Sequence, residues 1–215
     1  MKKLISVLLF CTLLGSLAAC SSRDTAEEAE KETSQTDMSG QEAEDAKEPE
    51  RGSESGEGNK ALVVYFSWSG NTEKVADSIA GQTRADIFKI VPTEPYIDDY
   101  NELLDIAAEE KQDGERPEIA DSINNFGQYD VIYVGYPNWW SDMPMILYTL
   151  FDSYDFSGKT IAPFCTSGGS GLSDTVNSIK ELEPEAEVLE GLHIRDSSSS
   201  DPDGAVGGWI EGLGL

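Results

Sequence analysis

The sequence has few of the side chains that most often perform nucleophilic, acid–base or metal chemistry. Among its 215 residues there are 3 cysteines and 1 histidine. The histidine, His193, follows the last predicted strand, where we expect a surface residue and not a catalytic acid or base. No carboxylate pair and no cluster of histidines and cysteines indicates hydrolysis or a metal site. The sequence therefore predicts no catalytic side chain and no bound metal.

Positive charge is also scarce. The chain carries 15 Lys and Arg against 41 Asp and Glu, a formal net charge of −26. Within residues 60–215 there are 28 acidic and 9 basic side chains, a balance of −19. A surface of this sign repels the phosphates of nucleic acids and the head groups of anionic lipids. We therefore expect no nucleic-acid partner and no binding of this region to anionic lipid.

Long apolar runs are missing as well. The run from Leu4 to Ala19 has sixteen residues, whereas a membrane-spanning helix needs about 20. Behind three residues that include two lysines, it is typical of a secretory signal peptide, residues 1–19. The segment Leu17-Ala18-Ala19-Cys20 resembles the processing box of bacterial lipoproteins. The resemblance implies cleavage before Cys20, lipid on its sulfur and an extracytoplasmic protein anchored to the cell membrane. Ordinary secretion with cleavage nearby is the alternative.

The lipidated Cys20 would begin a tether, residues 20–59. Residues 21–59 hold thirteen acidic and four basic side chains and almost nothing to bury. This composition predicts a disordered segment with a coil reach of about 35 Å. If Cys11 leaves with the signal and Cys20 carries lipid, Cys165 is the only remaining thiol and no intramolecular disulfide can form. Because Cys165 stands in an apolar strand, we expect an inert buried thiol.

The remaining residues, 60–215, suit one domain with a sizeable core. Predicted strands alternate with predicted helices along it. The strands cover 63–66, 86–91, 131–135, 160–165 and 187–192; the first helix begins at Thr72, and the others cover 100–112, 144–151, 173–182 and 205–213. Five such units with short connections predict a doubly wound, three-layer α/β domain with five parallel strands, for which the order 2-1-3-4-5 is the natural choice. A ligand site is expected at the carboxyl ends of these strands.

Small and hydroxyl-bearing residues follow the first predicted strand. They are Ser67, Trp68, Ser69, Gly70, Asn71 and Thr72. A strand, a small polar loop and a helix N-terminus together gather N–H groups and hydroxyls around a phosphate. No lysine follows the glycine and no G-x-G-x-x-G spans the turn, so triphosphates and dinucleotides are disfavoured and a single phosphomonoester remains. The alternative is an ordinary βα turn with Thr72 as its N-cap.

Two further loops follow the third and fourth predicted strands. The first contains Pro137, Asn138, Trp139, Trp140 and Ser141; the second contains Thr166, Ser167, Gly168, Gly169, Ser170 and Gly171. One tryptophan can stack on a flat ligand, and we expect the other to pack inward; alternatively both are core or protein-interface residues. The glycines let the backbone approach a flat ligand and bring N–H groups to its carbonyl edge.

The first predicted strand and the small polar loop after it resemble the phosphate-loop signature of the flavodoxins. The matching residues are Val63, Val64, Tyr65, Ser67, Gly70, Thr72 and Ala76. The resemblance extends over residues 61–213 and is closest to a bacterial subgroup with Tyr-Pro-x-Trp-Trp and Cys-Thr-x-Gly-Gly-Ser-Gly loops. It implies a flavodoxin-like fold and an FMN cofactor held by the three loops. It also implies electron transfer with a redox protein or a small-molecule donor or acceptor.

Two other functions remain open from the sequence. One is an FMN-dependent NAD(P)H:quinone-type reductase of small acceptors, which would need a pocket for NAD(P)H beside the flavin. The sequence shows no separate fingerprint for such a pocket. The other is a flavin-free binding module that uses its tryptophans on a partner.

Overall fold

The computed structural model describes residues 59–215, so the predicted signal peptide, Cys20 and nearly all of the predicted tether lie outside the described residues. The strands are β1 (Ala61–Tyr65), β2 (Asp86–Lys89), β3 (Val131–Pro137), β4 (Thr160–Ser167), β5 (Glu187–Val188) and β6 (Leu192–Arg195). The helices are α1 (Asn71–Thr83), α2 (Tyr100–Asp113), α3 (Met145–Ser153), α4 (Thr175–Leu182) and α5 (Asp203–Leu213). Within residues 59–215, no helix combines the length and the apolar character needed to cross a bilayer.

The strands form one parallel sheet in the order β2-β1-β3-β4-β5, and β6 also pairs with β4. In β1, Val63 lies opposite Ile87 on one side and Tyr133 on the other. Helices cover both faces of this sheet, because both faces of its central strands are apolar and must be buried. The predicted doubly wound, three-layer fold and its strand order are confirmed.

Alternate residues of the central strands pack into two cores. Leu62 and Val64 join the core under α3 and α4. Val63 and Tyr65 point the other way and join the core under α1 and α5. This alternation follows from the two-residue period of a strand. The glycine-rich α5 is present because Val206 is fully buried against the second core, with Trp209 and Ile210 packed beside it.

The last predicted strand is split in two. β5 pairs with β4 through Ile161, and β6 pairs with β4 from Phe164 onward. Pro163 lies between these two paired stretches, and a proline has no N–H to donate to a neighbouring strand. The interruption between β5 and β6 therefore accommodates a proline within a central strand. Beyond it, β6 pairs with β4 as far as Arg195.

Backbone conformation sets the ends of two helices. Gly70 stands at the N-cap of α1 with φ +80°, so the helix starts at Asn71 and Thr72 lies inside its first turn. The reading of Thr72 as a plain N-cap is therefore wrong. Ser173 has φ +52°, which is incompatible with a helix, so α4 begins at Thr175 and not at the predicted residue 173.

Candidate functional site

Three loops meet at the carboxyl edge of the sheet, as the sequence predicts. We name them the serine loop (residues 67–72), the tryptophan loop (137–144) and the glycine loop (166–171). Thr72 Oγ1 lies 2.9 Å from Thr166 Oγ1. The Asn138 N–H donates to the Thr166 carbonyl at 2.9 Å, and its side-chain Nδ2 donates to the Gly171 carbonyl at 2.9 Å. These contacts join all three loops into one site.

The serine loop contains a buried hydroxyl without a partner. Ser67 Oγ is buried and makes no hydrogen bond within the described residues. It directly follows Phe66, whose N–H donates to the Gly135 carbonyl at 2.9 Å and so extends the sheet to the edge of the loop. Ser69 is exposed. A buried polar atom normally has a partner, so an orphan here indicates a place where a ligand can supply one.

Two other side chains of the serine loop are occupied by neighbouring segments. The Trp68 indole N–H donates to the Ile97 carbonyl at 3.0 Å, so this ring turns toward the β2–α2 connection. The Asn71 Oδ1 accepts a hydrogen bond from Ser199 Oγ at 2.9 Å. Trp68 thus has only its backbone groups left for hydrogen bonds to a ligand, whereas Asn71 keeps its amide N–H groups.

The tryptophan loop separates its two indoles. Trp139 packs edge-on against Phe66 and Tyr96, with ring centroids 5.5 and 5.3 Å away. Trp140 is 53% exposed. Trp139 thus packs inward, as the sequence predicts for one of the two tryptophans, and Trp140 is left on the surface.

A tight turn causes this separation. Trp139 and Asp142 exchange two backbone hydrogen bonds of 2.8 and 3.0 Å, and between them Trp140 and Ser141 have φ values of +51° and +62°. This is the pattern of a two-residue hairpin turn that normally uses asparagine and glycine. The left-handed conformation costs an ordinary residue about 1–2 kcal/mol. The turn is therefore strained, and other contacts must hold it.

The glycine loop is fixed by its neighbours in β4 and β6. Ser167 Oγ accepts a hydrogen bond from the Gly171 N–H at 3.1 Å and lies 2.9 Å from His193 Nε2. His193 thus lies within β6, half-buried and in contact with the site, so its expected place after the last strand is wrong. Arg195 donates to the Gly168 carbonyl at 3.3 Å.

Cys165 is the buried thiol that the sequence predicts. Its side chain is fully buried and donates to the Gly171 carbonyl at 3.2 Å. Burial raises the pKa of this thiol to about 12, with a smaller contribution from Asp196. The sulfur therefore stays protonated at neutral pH and is a poor nucleophile.

Two carboxylates near the site are held in place by neighbours. Lys89 contacts Glu73 at 2.9 Å and is the main reason that the pKa of this carboxyl lies below its usual value. The Tyr148 hydroxyl lies 3.2 Å from both carboxylate oxygens of Asp142. Burial, followed by the charge of Asp142, raises the pKa of Tyr148 to about 12, so this phenol remains a donor.

A cavity of about 400 Å³ opens beside the tryptophan loop. Residues of α2 form one wall, and the tryptophan loop with Ser170 of the glycine loop forms the other. The lining residues are Tyr100, Leu103, Leu104, Ala107, Asn138, Trp139, Trp140, Ser141 and Ser170. Its volume lies in the range of small-molecule sites, roughly 300–1,000 Å³, and its lining combines apolar walls with few polar groups.

Sequence reasoning missed three contributions to this edge. His193 and Ser199 come from β6 and the segment after it, and Tyr100 comes from α2. The run of four serines at 197–200 was the available signal, since it follows a strand that ends at the same sheet edge. No comparable pattern marks the α2 residues. In the part of the chain that the structure describes, no group of three or more potential ligands is placed to hold a metal ion.

The fold is that of a doubly wound α/β protein, and its three joined loops lie at the carboxyl edge of the sheet, where proteins of this class bind their ligands. The family model for flavodoxin matches residues 60–213. The chain belongs to the flavodoxin family. A comparison with curated proteins gives no match.

Solved structures resemble the chain over most of the described region. A Bacteroides eggerthii crystal structure, provisionally described as a flavoprotein, is 31% identical with a TM-score of 0.67, covering 74% of this chain and 99% of its own. A Bacteroides uniformis structure with the same provisional description is 30% identical with a TM-score of 0.65, covering 72% and 99%. A Lactobacillus acidophilus flavoprotein in complex with FMN is 29% identical with a TM-score of 0.57, covering 68% and 99%.

Proposed function

We propose that residues 60–215 bind FMN at the three loops and serve as an electron carrier. The observation that carries this proposal is that two buried polar atoms within residues 59–215 have no hydrogen-bond partner. Among the described residues, Ser67 Oγ and Asn138 Oδ1 are the buried side-chain polar atoms without a hydrogen-bond partner. One lies in the serine loop and the other in the tryptophan loop, so a ligand that spans the two loops can supply both missing partners.

The serine loop fits the phosphate of FMN. Ser67, Ser69 and Thr72 supply hydroxyls, Asn71 supplies amide N–H groups, and the first turn of α1 supplies backbone N–H groups beside Gly70. The N-terminus of a helix favours an anion through these groups and through its dipole. No basic residue stands within the loop, so the phosphate would be held by neutral hydrogen bonds.

The tryptophan and glycine loops fit the ring. Trp140 offers an exposed indole for stacking at the cavity, and the glycine loop offers backbone N–H groups for the ring carbonyls. Asn138 uses both N–H groups of its amide, on Gly171 and on Ser173, which leaves Oδ1 as an acceptor for an N–H donor. The related Lactobacillus acidophilus structure, which contains FMN, supports the choice of this flavin.

The flavin supplies the redox chemistry when it is bound. The protein's part is to hold the cofactor, limit the access of water to it and surround it with charge. No histidine or cysteine of the site is placed for acid–base or nucleophilic catalysis: His193 is held by Ser167, and Cys165 is buried and protonated. This division of roles fits a carrier, whereas a reductase would also need a site for NAD(P)H beside the flavin, for which the sequence shows no separate fingerprint.

Comparing FMN with riboflavin tests the binding site. Ser67→Ala and Thr72→Ala should each weaken FMN binding by about tenfold or more and riboflavin binding much less. A hydrogen bond to a charged group contributes about 1.5–3 kcal/mol. Ser153→Ala, which removes a hydroxyl bonded to the Thr149 carbonyl in α3, is the control and should change neither affinity. Equal losses for both flavins would mean that the serine loop does not hold the phosphate.

Steady oxidation of NAD(P)H distinguishes a carrier from a reductase. The purified FMN-loaded domain should not oxidise NADH or NADPH continuously with a quinone present, and it should exchange electrons with a small redox mediator. Continuous turnover would instead favour the reductase. Colourless protein that takes up no added FMN would overturn both and favour a flavin-free binding module.

We further propose that lipid on Cys20 anchors the carrier to the outer face of the cytoplasmic membrane. The support is the sequence Leu17-Ala18-Ala19-Cys20 behind the apolar run, with the acidic stretch that follows it. Two or three acyl chains together hold a protein on a bilayer, whereas one alone binds weakly. In cells given a labelled fatty acid, Cys20→Ser should abolish labelling and leave the protein unprocessed or released. Labelling equal to that of the unmodified chain would remove this assignment.

A further inference from the structure

The strained turn Trp139–Asp142 is held from outside by α2. Lys111, near the end of α2, donates through its ammonium to the Trp140 carbonyl at 2.9 Å and to Asp142 Oδ2 at 3.1 Å. The Trp140 carbonyl belongs to the peptide that joins the two residues with positive φ, and Asp142 is the last residue of the turn. One ammonium group therefore binds the central peptide of the turn and its last side chain at once.

A second contact from α2 fixes the indole. The Trp140 Nε1–H donates to the Leu104 carbonyl at 2.9 Å, seven residues before Lys111 on the same helix. Asp142 is also anchored to α3, by the Tyr148 hydroxyl at 3.2 Å. The indole is thus held at the mouth of the cavity, although nothing in its own sequence favours the left-handed conformation.

These contacts offset the strain before any ligand arrives. Strained backbone persists only where its surroundings determine it, and such strain gathers at ligand sites. If the contacts to the turn were weakened, Trp140 and Ser141 would gain by moving to negative φ, and the indole would leave the cavity. Among the contacts that Lys111, Leu104 and Tyr148 make with the turn, only those of Lys111 bring a positively charged group to it.

We propose that Lys111 is the positioning residue for ring binding: it holds the Trp139–Asp142 turn in its left-handed form, with the Trp140 indole ready to contact the flavin. This inference rests on the proposed binding of FMN. Lys111 would act by preorganisation, because a turn that is already formed loses less entropy when the ring binds. The residue touches the turn and not the flavin, so its effect must appear in the conformation of Trp140 as well as in affinity.

The first experiment examines the protein without flavin. In a ¹⁵N-tryptophan-labelled sample, Trp140→Phe identifies the Trp140 indole N–H signal among those of the four tryptophans. Lys111→Met should move this signal toward the position of a solvent-exposed indole and speed its exchange with water. The control is Lys60→Met. Lys60 lies just before β1, at the amino-terminal edge of the sheet, and this variant removes its exposed ion pair with Asp86. It should leave the Trp140 signal where it is.

The second experiment measures binding of FMN and riboflavin to the same variants. Lys111→Met should weaken both flavins by about tenfold, since the ring is common to both, and leave their affinity ratio unchanged. Lys111→Arg should restore most of the loss. Ser141→Gly in the Lys111→Met background should restore part of it, because glycine accepts positive φ without strain.

The outcomes separate this inference from the proposed function. If the unmodified domain binds neither flavin, the proposed function fails. If it binds both and Lys111→Met neither shifts the Trp140 indole signal nor weakens binding, the positioning role is overturned while FMN binding stands. A loss for FMN alone would also overturn the positioning role, because it would mean that Lys111 attracts the phosphate through its charge.

Discussion

Thr72 and Thr166 meet through their hydroxyl oxygens at 2.9 Å, although 94 residues separate them in sequence. Each is 1% exposed. Thr72 lies in the first turn of α1 and Thr166 lies in β4, so this hydrogen bond joins the serine loop to the glycine loop. One hydroxyl donates and the other accepts. If Thr166 donates, the Thr72 proton is free for a phosphate.

Removing either hydroxyl should destabilise the domain, and removing both should cost less than the sum. Thr72→Val leaves a buried Thr166 hydroxyl without its partner, which costs about 1–3 kcal/mol, and Thr166→Val does the converse. In the double variant two methyl groups face each other. Urea unfolding of the four proteins in the absence of flavin measures the coupling energy. Additive losses would mean that the pair contributes no interaction of its own.

The two tryptophans of the tryptophan loop should respond differently to substitution. FMN binding should quench part of the tryptophan fluorescence, and Trp140→Phe should remove most of that quenching because Trp140 is the exposed indole at the cavity. Trp139→Phe should keep the quenching but lower the unfolding temperature, since Trp139 packs on Phe66 and Tyr96. Quenching that survives in Trp140→Phe would exclude stacking of this indole on the ring.

Charge should lower the more negative of the two one-electron potentials of the bound flavin. The 28 acidic and 9 basic side chains of residues 60–215 oppose the addition of an electron. Each uncompensated charge about 10 Å away in water contributes roughly 0.4 kcal/mol, or about 20 mV for a one-electron couple. We expect a potential below that of free FMN that becomes less negative as salt rises, because salt screens exposed charges. Redox titrations at low and high ionic strength measure it. A potential at or above that of free FMN would favour the reductase.

Glu183 should make stability fall between about pH 4.5 and 7. Burial raises the pKa of this carboxyl from 4.5 to about 7, with help from the charges of Asp155 and Asp152. The folded protein therefore binds the proton more tightly than the unfolded chain, so this contribution is complete at acid pH and is lost as pH rises through the window.

The variant Glu183→Gln removes that loss. Because the side chain is partly exposed and solvent screens it, we expect a gain of about 1 kcal/mol at most, or roughly 2–4 °C in unfolding temperature, at pH 8. At pH 4 the variant and the unmodified domain should unfold at nearly the same temperature. An equal difference at both pH values would show that the carboxyl does not titrate in this range.

The fold could be predicted from the sequence because its signals are local. Apolar runs such as Val131–Val134 are buried on both faces, which a parallel sheet covered by helices requires. The break in the last strand was less visible, because it depends on Pro163 in a neighbouring strand. The position of α5 rests on Val206 and Trp209 packing against the sheet, which outweighs the poor helix propensity of its glycines.

The sequence by itself indicated the alternation of strands and helices, the three loops that follow strands and the small polar residues of the serine loop, because each follows from residues close together in the chain. Only the tertiary structure decided how those loops are held. Thr72 meets Thr166, Ser199 reaches Asn71 across 128 residues, and Lys111 of α2 holds the turn at Trp140. The physical reason is that hydrogen bonds between distant segments depend on how whole helices and strands pack, and no local pattern of residues records that packing.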